Sequence, residues 1–226
     1  MTTPLSLEPL DLAALLCSRV CHDVISPVGA IVNGLEVLEE DKDEGMREFA
    51  LDLIRKSAKS ASARLQFCRL AFGAAGSAGA SIDTGDAEKV ARGLFGADER
   101  TTLNWDGPRA FVAKNKVKLL LNLCLISSAC IPRGGVMNVR IEGEGDDLKL
   151  SVAVKGPNLK LANHVASLLQ GVSESGGVDA HGIQPYFTGL VARDCGMAVE
   201  VSATSEEVQL KAAPKPSEAL GETTSA

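Results

Sequence analysis

The chain has 226 residues, 45% of them apolar but only 4% aromatic, and a formal net charge of −6. That is enough for one large domain or two small ones with cores filled mainly by alanine and leucine, and the acidic balance argues against a nucleic-acid binder, whose footprint is a basic surface. No run of about 18 apolar residues and no basic-then-apolar opening segment occurs, so a soluble, cytosolic protein with no membrane association is expected.

Residues 8–40 read as one long helix. Its apolar stripe is Leu16, Val20, Val24, Pro27 (or Val28), Ile31, Leu35 (or Gly34) and Leu38, in steps of three and four. His22 falls two residues from both Val20 and Val24, about 200° from the stripe at roughly 100° per residue, and so faces out. Its helical neighbours Ser18, Arg19, Ser26, Gly29 and Asn33 are small or polar. EDKDEG, ending at residue 45, reads as a polar turn. A second helix over 46–72 carries Met46, Phe49, Leu53, Ser57, Ala61, Leu65, Cys68 and Phe72, again in threes and fours. A short loop between long helices makes an antiparallel hairpin. Leu51, Ile54 and Ala58 lie beside the main stripe. That is more apolar surface than one partner helix covers, so a four-helix bundle made by two chains, a homodimer, is expected.

Residues 73–81, GAAGSAGAS, read as a linker of small residues. Beyond it a helix is expected over 86–97, a strand over 99–105 and a strongly apolar helix over 112–131, ending at Pro132. VMNVRIEG and LKLSVAVKG alternate as strands around an EGDD turn. LKLANHVASLLQ and PYFTGLVARDCG suggest two more helices, and MAVEVSA and EVQLKA a closing hairpin. This mixture, residues 82–212, is an α/β sandwich with helices on one face of a mixed sheet. The tail, 213–226, is expected to be disordered.

The chemistry that stands out is on the first helix. Free imidazole titrates near pH ~6.5, so His22 can present a neutral nitrogen nucleophile that takes a phosphoryl group and hands it on. Such transfer needs mainly in-line positioning and charge stabilisation, both available on an exposed helical face. Asp23 can accept a hydrogen bond from one ring nitrogen and leave the other free. Pro27 removes the N–H that would bond the Asp23 carbonyl, so a bend is expected beside the ring, and Gly29 keeps the surface low. On the second helix Arg47, Arg55, Lys56, Lys59, Arg64 and Arg69 outnumber Glu48 and Asp52 and could meet an acidic partner. Position alone also allows an ordinary surface histidine and a solvated basic face.

The remaining candidates are weaker. Cys17 and Cys21 make half a metal site with no matching pair, and with Cys68, Cys124, Cys130 and Cys195 they read as reduced small hydrophobes, so no metal is expected. His164 sits among apolar neighbours and reads as a partly buried structural residue. His181 reads as a loop residue. No nucleophile elbow supports a hydrolase.

HDVISPVGAI (22–31) resembles the H-box of bacterial histidine kinases. Over about residues 8–211 the chain is similar to that family in order, a dimerisation hairpin followed by an ATPase-like (Bergerat-type) α/β sandwich. The resemblance implies that His22 accepts phosphate. LLLNLCLISSACIPRGG (119–135) resembles the N-box, with Asn122 on the first family asparagine but Ile126 on the metal-coordinating one. VAVKGPN (152–158) resembles the adenine-holding DxGxG box, with Val154 for the aspartate and Asn158 for the second glycine. HGIQPYFTGLVARDCGMAVEV (181–201) resembles the last glycine box, with Gln184 for a glycine. Valine accepts no hydrogen bond, isoleucine ligates no magnesium, and without the glycine loop no amides close on phosphates, so the ATP site is expected to be lost.

An intact phospho-histidine on a kinase frame without an ATP site is similar to the dimeric histidine phosphotransferases of cell-cycle type relays. That implies phosphate arriving from the receiver domain of a hybrid histidine kinase and leaving to receiver domains of response regulators, with Mg2+ brought by the receiver. His22 would be the acceptor, Asp23 would tune it, and Ser18, Arg19, Ser26, Gly29, Asn33, Arg64 and Phe67 would form or flank the docking face. An ATP-dependent kinase with an atypical pocket, and a non-catalytic receiver-binding adaptor or phosphatase, are the rival readings.

Overall fold

The computed structural model describes residues 3–40, 42–73, 80–96, 100–173, 176–179 and 182–215. It opens with a two-residue strand, β1 (Thr3–Pro4), and helix α1 (Pro9–Glu40). Proline suits a first helical turn, where its missing N–H is no loss, and Asp11 faces the positive end of the helix dipole. Helix α2 (Glu44–Ala71) is capped by Asp43, whose Oδ1 accepts from the Met46 amide at 3.0 Å.

α1 and α2 form the expected hairpin. Gly34 sits where they approach most closely: a Cβ there would lie 2.7 Å from Ile54 Cγ1 and 3.2 Å from the Ala50 carbonyl. Small side chains make the seam, with Pro27 and Gly34 buried on α1 and Ala50, Ser57 and Ala61 on α2. The expected stripe is therefore corrected in detail. Val28, Leu35, Met46, Phe49 and Leu65 stay exposed because the tight seam runs beside them, and Ile25, Val32 and Leu51 join them on the outside.

The second unit begins earlier than the linker reading implied. Ser81 already belongs to β2 (Ser81–Asp83), which pairs antiparallel with β4 (Phe111–Ala113), and α3 (Thr84–Phe95) follows directly. Most of the linker, residues 74–79, lies outside the described residues. The main sheet is ordered β3–β5–β6–β9–β8, from β3 (Thr101–Asp106), β5 (Gly135–Glu142), β6 (Lys149–Lys155), β8 (Met197–Ala203) and β9 (Val208–Pro214). β3 and β5 run parallel and the other pairs antiparallel, which makes the sheet mixed as expected. The segment expected to be disordered from residue 213 is ordered at its start. β9 continues to Pro214, and the Lys215 amide donates to the Gly196 carbonyl; residues 216–226 lie outside the described ones.

Helix α4 (Lys114–Ala129) is apolar nearly all round and is buried accordingly, with Leu119, Leu121, Leu123 and Cys124 fully covered. It lies between the sheet, through Val139, Val152 and Val154, and the helices α2, α3 and α6 (Ile183–Asp194). α5 is shorter than expected, only His164–Leu169, and residues 159–163 are not helical. Its first residue, His164, is exposed rather than partly buried. His181 lies outside the described residues.

A feature with no sequence signal ties the two units. β1 pairs with β7 (Val172–Ser173), and the Leu5 amide donates to the Gly171 carbonyl at 2.8 Å. Tyr186 of α6 accepts from the Leu7 amide and donates to the Leu5 carbonyl, each at 3.3 Å. Leu5, Leu7, Leu12, Leu15 and Leu16 then pack on Leu168, Ile183 and Tyr186.

Candidate functional site

Helix α1 sets the geometry around His22. The His22 side chain is 76% exposed, and its Nδ1 faces Asp23 Oδ1 at 3.5 Å. Nε2 is on the far side of the ring. Asp23 is turned toward the hairpin seam and is half-buried. Its other oxygen, Oδ2, accepts from Arg19 Nε at 3.1 Å. In the tautomer that keeps the proton on Nδ1, this row leaves the lone pair on Nε2 pointing into open space, where a phosphorus centre can approach in line.

The expected docking residues separate into two groups. Ser18, Ser26 and Asn33 are exposed around His22, and Gly29 lies between them, half-exposed, with nothing within 4 Å of where its Cβ would be. The surface there is low and open. Arg19 and Arg64 are half-buried instead. Arg64 Nε donates to Ser60 Oγ at 3.4 Å. Phe67 is a correction: it is fully buried, edge-on to Phe95 with ring centroids 5.4 Å apart, because α3 covers that side of α2. It is a core residue of the joint between hairpin and second domain.

Beside His22 that joint leaves a cleft of about 240 Å3, lined by Arg19, Asp23 and Arg64 from the hairpin and by Phe95, Thr101 and Ser128 from the second domain. Cys68 lies on its hairpin side. Burial, helped by the Asp23 carboxylate, pushes the Cys68 thiol up to about 11, so it stays a thiol at neutral pH. Residues so far apart in the chain give the cleft no signature in the sequence.

Of the positions compared with a nucleotide site, Asn122, Ile126, Val154 and Gln184 are buried against protein and Asn158 is exposed. Ile126 and Val154 are core residues, Val154 in the ladder between Met137 and Val208. Asn158 is exposed at φ 56, and with its amide turned to present oxygen it accepts from the Arg133 guanidinium at 3.0 Å. Asn122 is fully buried. Its Nδ2 donates to the carbonyls of Ala71 (2.9 Å) and Lys118 (2.7 Å), and its Oδ1 accepts from Gln184 Nε2 at 2.6 Å. Among the described residues no three His, Cys, Asp or Glu side chains cluster as a metal site.

The model of the histidine phosphotransferase C-terminal domain matches residues 84–207, more than half of the chain. The chain belongs to the histidine phosphotransferase family, and it is a phosphorelay phosphotransferase. It is 51% identical over 212 residues to protein phosphotransferase ChpT of Brucella abortus (strain 2308), covering 94% of this chain and all of that one. A bacterial phosphotransferase of known structure is 49% identical, covers 92% of this chain and 98% of its own, and superposes with a TM-score of 0.84. The histidine kinase AdeS of Acinetobacter baumannii superposes more loosely, at 10% identity over 84% of this chain and 95% of its own, with a TM-score of 0.44.

Proposed function

We propose that His22 carries the phosphoryl group between receiver domains. The observation that supports this most directly is an exposed imidazole whose Nδ1 faces a carboxylate and whose Nε2 is free. Nε2 attacks the phosphorus of a receiver's aspartyl phosphate. The N–P bond forms, the P–O bond breaks, and its electron pair returns to the receiver's carboxylate. The proton on Nδ1 stays, and the positive charge gained by the ring faces Asp23. That retained proton also makes the ring a good leaving group when the aspartate of a second receiver attacks. The donor is the receiver of a hybrid histidine kinase and the acceptors are receivers of response regulators. Each brings its own Mg2+, since this chain supplies the nitrogen and no metal.

Ser18, Ser26, Gly29 and Asn33 form the docking face, with Arg64 at its edge. ATP takes no part, because the positions a nucleotide would need are occupied by Ile126, Val154, Asn158 and Gln184. A reconstituted relay tests this. Radiolabel from a phosphorylated donor receiver is expected on His22 as an acid-labile adduct and then on an acceptor receiver. Labelling of the chain by ATP alone would overturn the reading in favour of a kinase. Acceptor dephosphorylation without labelled His22 would favour a phosphatase.

The working unit is a homodimer in the cytosol. α1 is long and apolar enough to cross a membrane by length and composition. Its exposed apolar residues, however, form a stripe (Ile25, Val28, Val32, Leu35) continued on α2 by Leu51 and Leu65, while Ser18, His22, Ser26 and Asn33 keep the adjoining face polar. Such a hairpin suits a second hairpin better than lipid. Leu35→Glu would place a charge in that seam and is expected to halve the mass seen by light scattering at micromolar concentration. An unchanged mass would remove the dimer face from α1.

A further inference from the structure

We infer that Arg19 is a positioning residue for the transfer step, acting through Asp23 to set the His22 ring. The inference rests on the proposed role of His22. The sequence put Arg19 on the docking face, but its guanidinium turns away from solvent along the helix to Asp23 Oδ2, at 3.1 Å. Arg19 and Asp23 side chains are 26% and 19% exposed, against 76% for His22.

Three observations point to orientation rather than helix support. Residue 23 is one step of about 100° beyond residue 22, so its side chain heads for the seam and not for the imidazole. Something must hold the carboxylate so that Oδ1 keeps facing Nδ1, and Arg19 holds the opposite oxygen. The pair also runs basic-then-acidic along the helix, the order that supports a helix less well. Finally, Arg64, the other guanidinium in the cleft, is bonded to Ser60, which leaves the hold on Asp23 Oδ2 to Arg19. With both carboxylate oxygens engaged, the Nδ1–H form of the ring is favoured. Nε2 is then the nucleophile when the phosphorus–oxygen bond of the donor breaks and the nitrogen–phosphorus bond forms.

The test uses the full-length protein and potassium phosphoramidate, a small phosphodonor that needs no docking surface. Arg19→Ala and Arg19→Met are expected to slow phosphorylation of His22 roughly tenfold, less than the about hundredfold that a 1 Å misplacement of a reacting group can cost. Arg19→Lys, which keeps the charge but offers no fork, is expected to restore part of that rate. Nitrogen-15 spectra of histidine-labelled protein, with His22 assigned from a His22→Gln variant, should show the Nδ1–H tautomer in the wild type and a mixture in Arg19→Ala. Circular dichroism should be the same for all. Unchanged phosphoramidate rates and an unchanged tautomer would overturn the inference, and so would a loss seen only with a phosphorylated receiver, which would make Arg19 a docking residue. If phosphoramidate never modifies His22 in the wild type, the proposed function itself falls, whatever the tautomer spectra show for Arg19.

Discussion

His22→Ala is expected to stop phosphoryl transfer between receivers while leaving the fold intact. The effect should be large, at least about a thousandfold, because the variant lacks the atom that forms the intermediate bond, and no positioning effect replaces a missing nucleophile. Stability should move by no more than about 0.5 kcal/mol, the usual range for an exposed side chain outside the core. His22 is 76% exposed, and its polar partner Asp23 keeps its bond to Arg19 in the variant. Rapid-quench transfer from a labelled donor to an unlabelled acceptor measures the first quantity, and urea unfolding the second. Receiver binding, measured by calorimetry, should survive within a few-fold, since Ser18, Ser26, Gly29 and Asn33 remain. A variant that still passes label at the wild-type rate would end the case for His22. One that loses both transfer and folding would contradict the exposure of the ring.

The parts of this architecture written in local pattern could be read from the sequence. The hairpin helices announce themselves by steps of three and four, and the strands around EGDD by alternation. His22 was legible because a polar face opposite an apolar stripe is a local property of one helix. What could not be read depends on contacts across the chain. The choice between Pro27 and Val28, or Gly34 and Leu35, turns on how closely α2 approaches, and that is decided by Ala50, Ile54 and Ser57 on the other helix. Phe67 looked available because the helix that covers it, α3, lies beyond the linker. The bond from Arg19 to Asp23 is a choice of rotamer on one helix face, which the i, i+4 spacing permits but does not fix. β1 and β7, two residues each, are too short to carry any period. His164 was misjudged because the helix it opens is only six residues long, so the neighbours that seemed to bury it flank a helix end.

Asn122→Ala is expected to cost about 3 kcal/mol of stability. The side chain is wholly buried, and its amide serves both ways, donating to Ala71 and Lys118 carbonyls and accepting from Gln184. The Lys118 carbonyl lies in a helix and has other recourse. The Ala71 carbonyl belongs to the last residue of α2, where the helix leaves its carbonyls without internal partners. Gln184 is in a worse position. Its Oε1 already lacks a partner among the described residues, and without Asn122 its amide nitrogen loses its acceptor as well. Each stranded buried group costs about 1–3 kcal/mol, and the missing side-chain volume adds to that. At roughly 2–4 °C per kcal/mol for a chain of this size, the melting temperature should fall by about 6–12 °C. Asn122→Leu combined with Gln184→Leu should lose markedly less than the sum of the single changes, because removing both partners strands fewer groups than removing one. A double-mutant cycle with no coupling would mean that the two amides do not depend on each other. The functional consequence separates the joint from the chemistry. Phosphoramidate should still modify His22 in Asn122→Ala, since α1 is untouched. Transfer between receivers should slow if the second domain has to hold a fixed angle to the hairpin for a receiver to seat. Asn122 acts as a bolt between α2, α4 and α6, because its one amide joins the Ala71 and Lys118 carbonyls to Gln184.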